Sequence, residues 1–180
     1  MGYRITRQIG IDAAHRIAEH GSKCRNLHGH RYKVEATCQA SAGRLHESGE
    51  EGGMVLDFGF LKHEMLTVID EACDHGLILD VADRTMLGLF APDPANAAAW
   101  MDRLAAEVAT QGFAQVEDAL LGQKLYLIPY PPTAECLARH WFERLAPRVA
   151  ARSDGWAELT GLTVWETPNC YAEFTGGGMF

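Results

Sequence analysis

Apolar and polar positions alternate along the first stretch of the chain. In YRITRQIGIDAAH, Ile5, Ile9, Ile11, Ala13 and His15 share parity and therefore one face of a strand. A second strand is predicted from about His28 to Ala40, with His28, His30, Tyr32, Val34, Ala36 and Cys38 on a common face. The polar, glycine-rich run SAGRLHESGEEGG then breaks the alternation and reads as a long hairpin-like connection.

Past MVLDFG the period changes. Leu61, Met65, Val68, Ile69 and Ala72 recur at helical spacing, with Asp57 near the helix start where a carboxylate is favourable. A second helix is predicted in DPANAAAWMDRLAAEVATQGF. Asp93 is its cap, Pro94 lies in its first turn, Gly112 is its stop, and Ala97, Met101, Leu104 and Val108 form its stripe. KLYLIPY reads as a short strand, and Thr133 caps a third helix carrying Leu137, Trp141 and Leu145. ELTGLTVWETPNCYAEF closes the chain as strand. The order, ββ then helices then ββ, predicts an α+β domain with an antiparallel sheet and helices on one face.

Composition narrows the class. With 180 residues, 47% of them hydrophobic, the chain is expected to form one domain over 1–180. No run of 18 apolar residues predicts a membrane span, and the charged N-terminal stretch lacks the apolar core of a secretory signal. Five scattered cysteines without a CxxC read as reduced thiols, hence a cytoplasmic protein. A net charge of −8 argues against general nucleic-acid binding. Between His15 and Lys33, however, Arg16, Lys23, Arg25, Arg31 and Lys33 face a single acidic residue, Glu19. That patch is either a solvated face or a receptor for a small anion.

The candidate chemistry gathers on these strands. His28 and His30 project to one side about 7 Å apart at the backbone, and His15 ends the neighbouring strand on an otherwise apolar face. Together they predict a metal site, with zinc the default for imidazole ligands in a reducing compartment. Cys24, in CRNLHGH, leaves three alternatives open. It closes a structural site as fourth ligand, it acts as base or nucleophile beside an open metal position, or it is an inert thiol. Asp74 and His75, in CDHG, follow the first helix. Either the helix dipole favours the histidine there or the two form a proton-relaying pair. Glu166 shares parity with Leu162 and Val164, so its carboxylate needs a partner: an arginine, or a ligand with adjacent N–H donors.

AAHR, CRNLHGHRYKVE, GGMVLDFGFLK, CDHGLIL, PPTAE and VWET, in this order, closely resemble the 6-pyruvoyl-tetrahydropterin synthase family. The chain looks most like the bacterial 6-carboxy-5,6,7,8-tetrahydropterin synthases of queuosine biosynthesis, which share the C-x3-HGH spacing. The resemblance implies the tunnelling fold: a four-stranded antiparallel sheet with two helices on one face, in trimers that stack into homohexamers with sites at subunit boundaries. It implies zinc on His15, His28 and His30, with Cys24 as general base off the metal. Asp74 and His75 become its proton-transfer partners, and Glu166 the anchor of the pterin. The implied reaction converts 7,8-dihydroneopterin triphosphate into 6-carboxy-tetrahydropterin, acetaldehyde and triphosphate. A synthase stopping at 6-pyruvoyl-tetrahydropterin, a sepiapterin-cleaving enzyme and a non-catalytic zinc and pterin binding protein are the alternatives. Asp12 and Arg31 depart from the Ser and Asn common in the family. A segment near 83–123, expected to be helical, is an insertion that most short bacterial members lack.

Overall fold

The computed structural model of the chain describes residues 2–176. In chain order the elements are β1 (Arg4–His15), β2 (His28–Ala40), α1 (Phe58–Met65), α2 (Glu71–Cys73) and β3 (Leu77–Asp80). There follow α3 (Arg84–Gly88), α4 (Ala97–Gln111), β4 (Ala114–Val116), β5 (Leu125–Ile128), α5 (Ala134–Arg152), β6 (Ala157–Thr167) and β7 (Cys170–Thr175).

β1 and β2 pair antiparallel from Arg4 opposite Gln39 to His15 opposite His28. β2 then pairs with β6, and β6 with β7, both antiparallel. This is the four-stranded sheet expected from the sequence. Its inner face carries Ile9, Ile11, Ala13, Tyr32, Val34, Ala36, Cys38, Leu162 and Val164, all buried under the helices. Asp57 starts α1 by accepting the N–H of Phe60 at 3.0 Å. The helical run passes through a π turn, Leu66–Asp70, into α2, and Leu61, Met65, Val68, Ile69 and Ala72 are buried as their spacing predicts. The Thr133 hydroxyl accepts the N–H of Cys136 at 3.2 Å, and α5 buries Leu137, Trp141 and Leu145 against the same face.

The sheet is wider than the sequence suggested. It has seven strands, in the order β4-β5-β3-β1-β2-β6-β7. β3 runs parallel to both β1 and β5, and β4 closes the far edge antiparallel to β5. Alternation does not mark these strands because both of their faces are buried. Ile78, Tyr126 and Ile128 point into the first core. Leu77, Leu79, Leu125 and Leu127 point the other way, into a second core with Trp100, Leu104 and Val108 of α4.

The inserted segment is therefore what covers the second face of the widened sheet. Its helix is built as expected: Asp93 accepts the N–H of Ala95 at 2.9 Å, Pro94 lies in the entering 3-10 turn, and Gly112 ends α4 at φ +83. The segment is not wholly helical, however, since it also supplies β4. Among the described residues no helix is long and apolar enough to cross a membrane.

Leu104 is 1% exposed in the middle of that second core. Leu104→Ala is expected to cost roughly 2–5 kcal/mol, the range for a truncated buried leucine. Urea denaturation of the variant beside the parent measures it, and a loss below 1 kcal/mol would mean that α4 only rests on the sheet.

Candidate metal centre and its surroundings

The register of β1 and β2 builds the site. His15 ends β1 directly opposite His28, which begins β2, and His30 follows two positions on with the same parity. The ring centroids lie 4.6 Å (His15–His28), 5.1 Å (His15–His30) and 5.0 Å (His28–His30) apart. One nitrogen of each ring lies within 4.8 Å of the others. His15 is held by the entrance to α5: its Nδ1 is 2.8 Å from the carbonyl oxygen of Pro132. The Nδ1 of His28 is likewise 2.8 Å from the carbonyl oxygen of Asn26.

Because a carbonyl only accepts, each Nδ1 must carry the proton and donate. In the neutral rings both Nε2 atoms are then lone-pair acceptors, yet they face one another at 3.1 Å. Two lone pairs so placed repel unless a cation or a proton lies between them. Tetrahedral zinc–nitrogen bonds of the usual length set neighbouring nitrogens about 3.3 Å apart. The donor set fits a three-imidazole metal site, with backbone carbonyls as outer partners that fix the tautomers.

Electrostatics favour the neutral rings that a metal needs. Burial pushes His15 down to about 4, against a partial upward pull from the Pro132 carbonyl; the neighbouring His28 and His30 push it lower still. His30 is lowered as well, chiefly by burial, with Glu166 opposing.

Cys24 sits half-buried in the 3-10 turn Lys23–Arg25 of the loop between β1 and β2. It is not among the metal-competent cluster, which contains the three histidines alone among the described residues. The basic patch read from the sequence is largely consumed. Arg16 pairs with Asp83 at 2.7 Å, Arg31 with Asp12 at 3.0 Å and Lys33 with Glu35 at 3.0 Å. Lys23 and Arg25, flanking Cys24, make no ion pair among the described residues. Glu166 is brought to the histidines, its Oε1 3.9 Å from the Nε2 of His15. No arginine or lysine partners it among the described residues, so its oxygens remain available to a ligand.

Asp74 and His75 form a pair on the side of β1 that faces β3. Asp74 Oδ2 is 2.7 Å from the Nδ1 of His75, while Asp74 Oδ1 accepts the N–H of Asp12 at 2.8 Å. The Asp12 N–H holds the Asp74 carboxyl below the usual carboxylate range; burial opposes this, and His75 and Lys124 add to it. The His75 side chain is 79% exposed, and it opens onto a surface hollow of about 490 Å³ that His30, Leu27, Phe90 and Gln123 also line. No hydrogen bond joins the pair to Cys24 among the described residues.

The family described as 6-pyruvoyl tetrahydropterin synthase matches residues 4–177. The chain belongs to that family. A relative from Rickettsia conorii, named 6-carboxy-5,6,7,8-tetrahydropterin synthase, is 34% identical over 170 residues, covering 94% of this chain and 98% of its own. Among solved structures, an uncharacterized protein from Wolinella succinogenes superposes with a TM-score of 0.71 at 21% identity, over 97% of this chain and 98% of its own. The 6-pyruvoyl tetrahydropterin synthase of Caenorhabditis elegans gives 0.57 at 22% identity, over 97% and 96%. At those identities the superpositions speak for the fold, which is the tunnelling fold the resemblance implied.

Seen as a member of this family, the chain holds the three histidines together and brings Glu166 beside them, as its sequence led one to expect. The structure adds groups that no side-chain motif announces. The carbonyls of Pro132 and Asn26 orient two rings, the backbone of Asp12 holds Asp74, and Phe90 and Gln123 come from the insertion. Backbone acceptors leave no mark in residue types.

In the metal-free protein the His15 ring is expected to titrate by NMR near 4 rather than at the ordinary 6.5. The sign follows from linkage: between those values the unfolded chain takes up a proton that the folded chain refuses, so stability falls as pH falls through that window. Urea midpoints of the metal-free protein should be lower at pH 5 than at pH 7. A ring titrating near 6.5 would mean that burial does not control it.

Proposed function

We propose that the protein is a zinc-dependent 6-carboxy-5,6,7,8-tetrahydropterin synthase of queuosine biosynthesis. It converts 7,8-dihydroneopterin 3'-triphosphate and water to 6-carboxy-5,6,7,8-tetrahydropterin, acetaldehyde and triphosphate. One observation carries the reading: three imidazoles converge on a common point without the neighbouring thiol, in a chain matched nearly end to end by relatives bearing that name.

His15, His28 and His30 hold the ion. Bound there, zinc supplies a Lewis acid for the side-chain oxygens of the substrate and makes the adjacent C–H more acidic. Cys24, on its loop with Lys23 and Arg25, removes that proton as thiolate, and the two free cations suit the triphosphate. Glu166 accepts two N–H donors from the edge of the pterin and fixes the ring relative to the base. Asp74 holds the Nδ1–H of His75, which leaves Nε2 to give or take a proton at the substrate. Elimination then releases triphosphate, and carbon–carbon cleavage with uptake of one water, whose oxygen ends in the carboxylate, releases the two-carbon fragment as acetaldehyde.

The Asp74–His75 pair is anchored on the β3 side of β1 and shares its hollow with Leu27 and His30. Membership of the family supports assembly into a homohexamer in which sites form at subunit boundaries, a neighbouring copy completing each one. Five cysteines, all free, suit a reducing, cytoplasmic setting.

Incubation of the zinc-loaded protein with dihydroneopterin triphosphate should yield 6-carboxy-tetrahydropterin and acetaldehyde by mass spectrometry; 6-pyruvoyl-tetrahydropterin as end product would move the protein to the other branch. Cys24→Ala should keep its zinc and lose about 100-fold or more in turnover, the scale of a positioned acid–base group. Zinc lost from that variant would make Cys24 a ligand instead. Glu166→Gln should raise KM by tenfold or more, about the cost of one charge-assisted hydrogen bond.

A further inference from the structure

The turn carrying Asp74 and His75 is held in an unusual conformation. His75 has φ +55, in the left-handed region that side chains other than glycine seldom occupy. Such a conformation persists only where its surroundings over-determine it. Three backbone bonds fasten it. The N–H of His75 donates to the Asp12 carbonyl at 2.7 Å, that of Gly76 to the Cys73 carbonyl at 3.0 Å, and that of Ala14 to the Gly76 carbonyl at 2.9 Å.

A fourth restraint comes from Lys124, the last residue before β5. Its Nζ donates to the carbonyl of Asp74 at 2.8 Å and to that of Glu71 at 3.1 Å. These are carbonyls of the closing helical turn, which lack partners within the helix and carry the negative end of its dipole. The stem of Lys124 also presses on the turn. A Cβ at Gly76 would lie 3.0 Å from the Lys124 Cδ and 3.0 Å from the Cys73 carbonyl oxygen, so a side chain there would push against both the lysine stem and the turn. Gln123, next to this lysine, and Phe90 line the hollow onto which His75 opens.

We propose that Lys124, carried to this point where the inserted segment rejoins the sheet, is a positioning residue for the Asp74–His75 pair. Its ammonium clamps the Asp74 carbonyl, and through it the carboxylate that orients the His75 ring. The insertion thereby acts on the reaction besides covering the second core. The lysine is exposed and pairs with no carboxylate among the described residues, so its charge is committed to this turn. The inference rests on the reading of His75 as a proton-transfer group given under Proposed function.

Lys124→Met keeps the stem and removes the charge. The zinc-loaded variant should lose roughly tenfold or more in kcat, the scale of a displaced acting group, with KM for dihydroneopterin triphosphate, zinc content and urea midpoint close to those of the parent. Lys124→Arg, which can reach the same carbonyls, should recover most of the loss. His75→Ala serves as reference. If His75→Ala is impaired while Lys124→Met turns over like the parent, the inference on Lys124 fails and the reading of His75 stands. If His75→Ala itself keeps parental turnover, both fail. A Lys124→Met whose kcat and urea midpoint fall together, without rescue by arginine, would reduce the lysine to a structural contact.

Discussion

The antiparallel register of β1 and β2 is the constraint on which the rest depends. It sets His15 opposite His28 and leaves His30 on the same face two residues later. Since side chains alternate, a slip of one residue would turn His28 and His30 away from His15 and expose Tyr32 and Val34 to solvent. The buried run Ile9, Ile11, Ala13 against Tyr32, Val34 and Ala36 makes such a slip costly. The same apolar face that stabilises the sheet therefore also aligns the histidines. The histidine cluster is the open end of the core stripe, where imidazoles replace hydrocarbons. The α5 entrance closes it from above with the Pro132 carbonyl, so helix placement and ring tautomer are one problem with one solution.

The insertion changes the sheet as well as its surroundings. Four antiparallel strands with helices on one face leave the other face free. β3 and β5 turn their leucines away from the first core and would expose Leu77, Leu79, Leu125 and Leu127 without α4. Trp100, Leu104 and Val108 cover them, and Trp100 is held in place by its indole N–H, 3.1 Å from Asp118. Arg16, directly after His15, pairs with the buried Asp83 at the start of the insertion. The added layer is thus tied to the metal strand at one end and, through Lys124, to the Asp74–His75 turn at the other.

Much of this was legible in the chain because each signal had a local physical cause. Alternation marked β1 and β2, and the side-chain oxygens of Asp57, Asp93 and Thr133 marked helix starts at which they do accept backbone N–H groups. The three histidines were legible through parity, a property of the strand itself. What escaped had no local cause. LYLI reads as a strand and forms β5, but LIL is a short apolar run whose strand character depends on a helix that covers it from elsewhere in the chain. The engagement of Arg16, Arg31 and Lys33 by nearby carboxylates likewise depends on pairings across the sheet and the insertion, so the patch looked more basic in sequence than it is in space.

The site divides its groups by the stiffness they need. The three histidines lie on the two longest paired strands, where small displacements are resisted by the whole sheet. Glu166 lies on β6, next to β2 in the same sheet. Cys24, by contrast, occupies a short 3-10 turn without a buried residue, and His75 a strained turn that is open to solvent. Under the proposed function, a base and its proton partner would have to approach and leave a substrate that the rigid part only holds, and loops would supply that freedom. The freedom of the His75 turn is limited on purpose by several hydrogen bonds, whereas no hydrogen bond restrains the Cys24 thiol among the described residues. The Cys24 thiol is therefore the less restrained of the two groups, because the His75 turn is fastened by backbone hydrogen bonds and the thiol by none among the described residues.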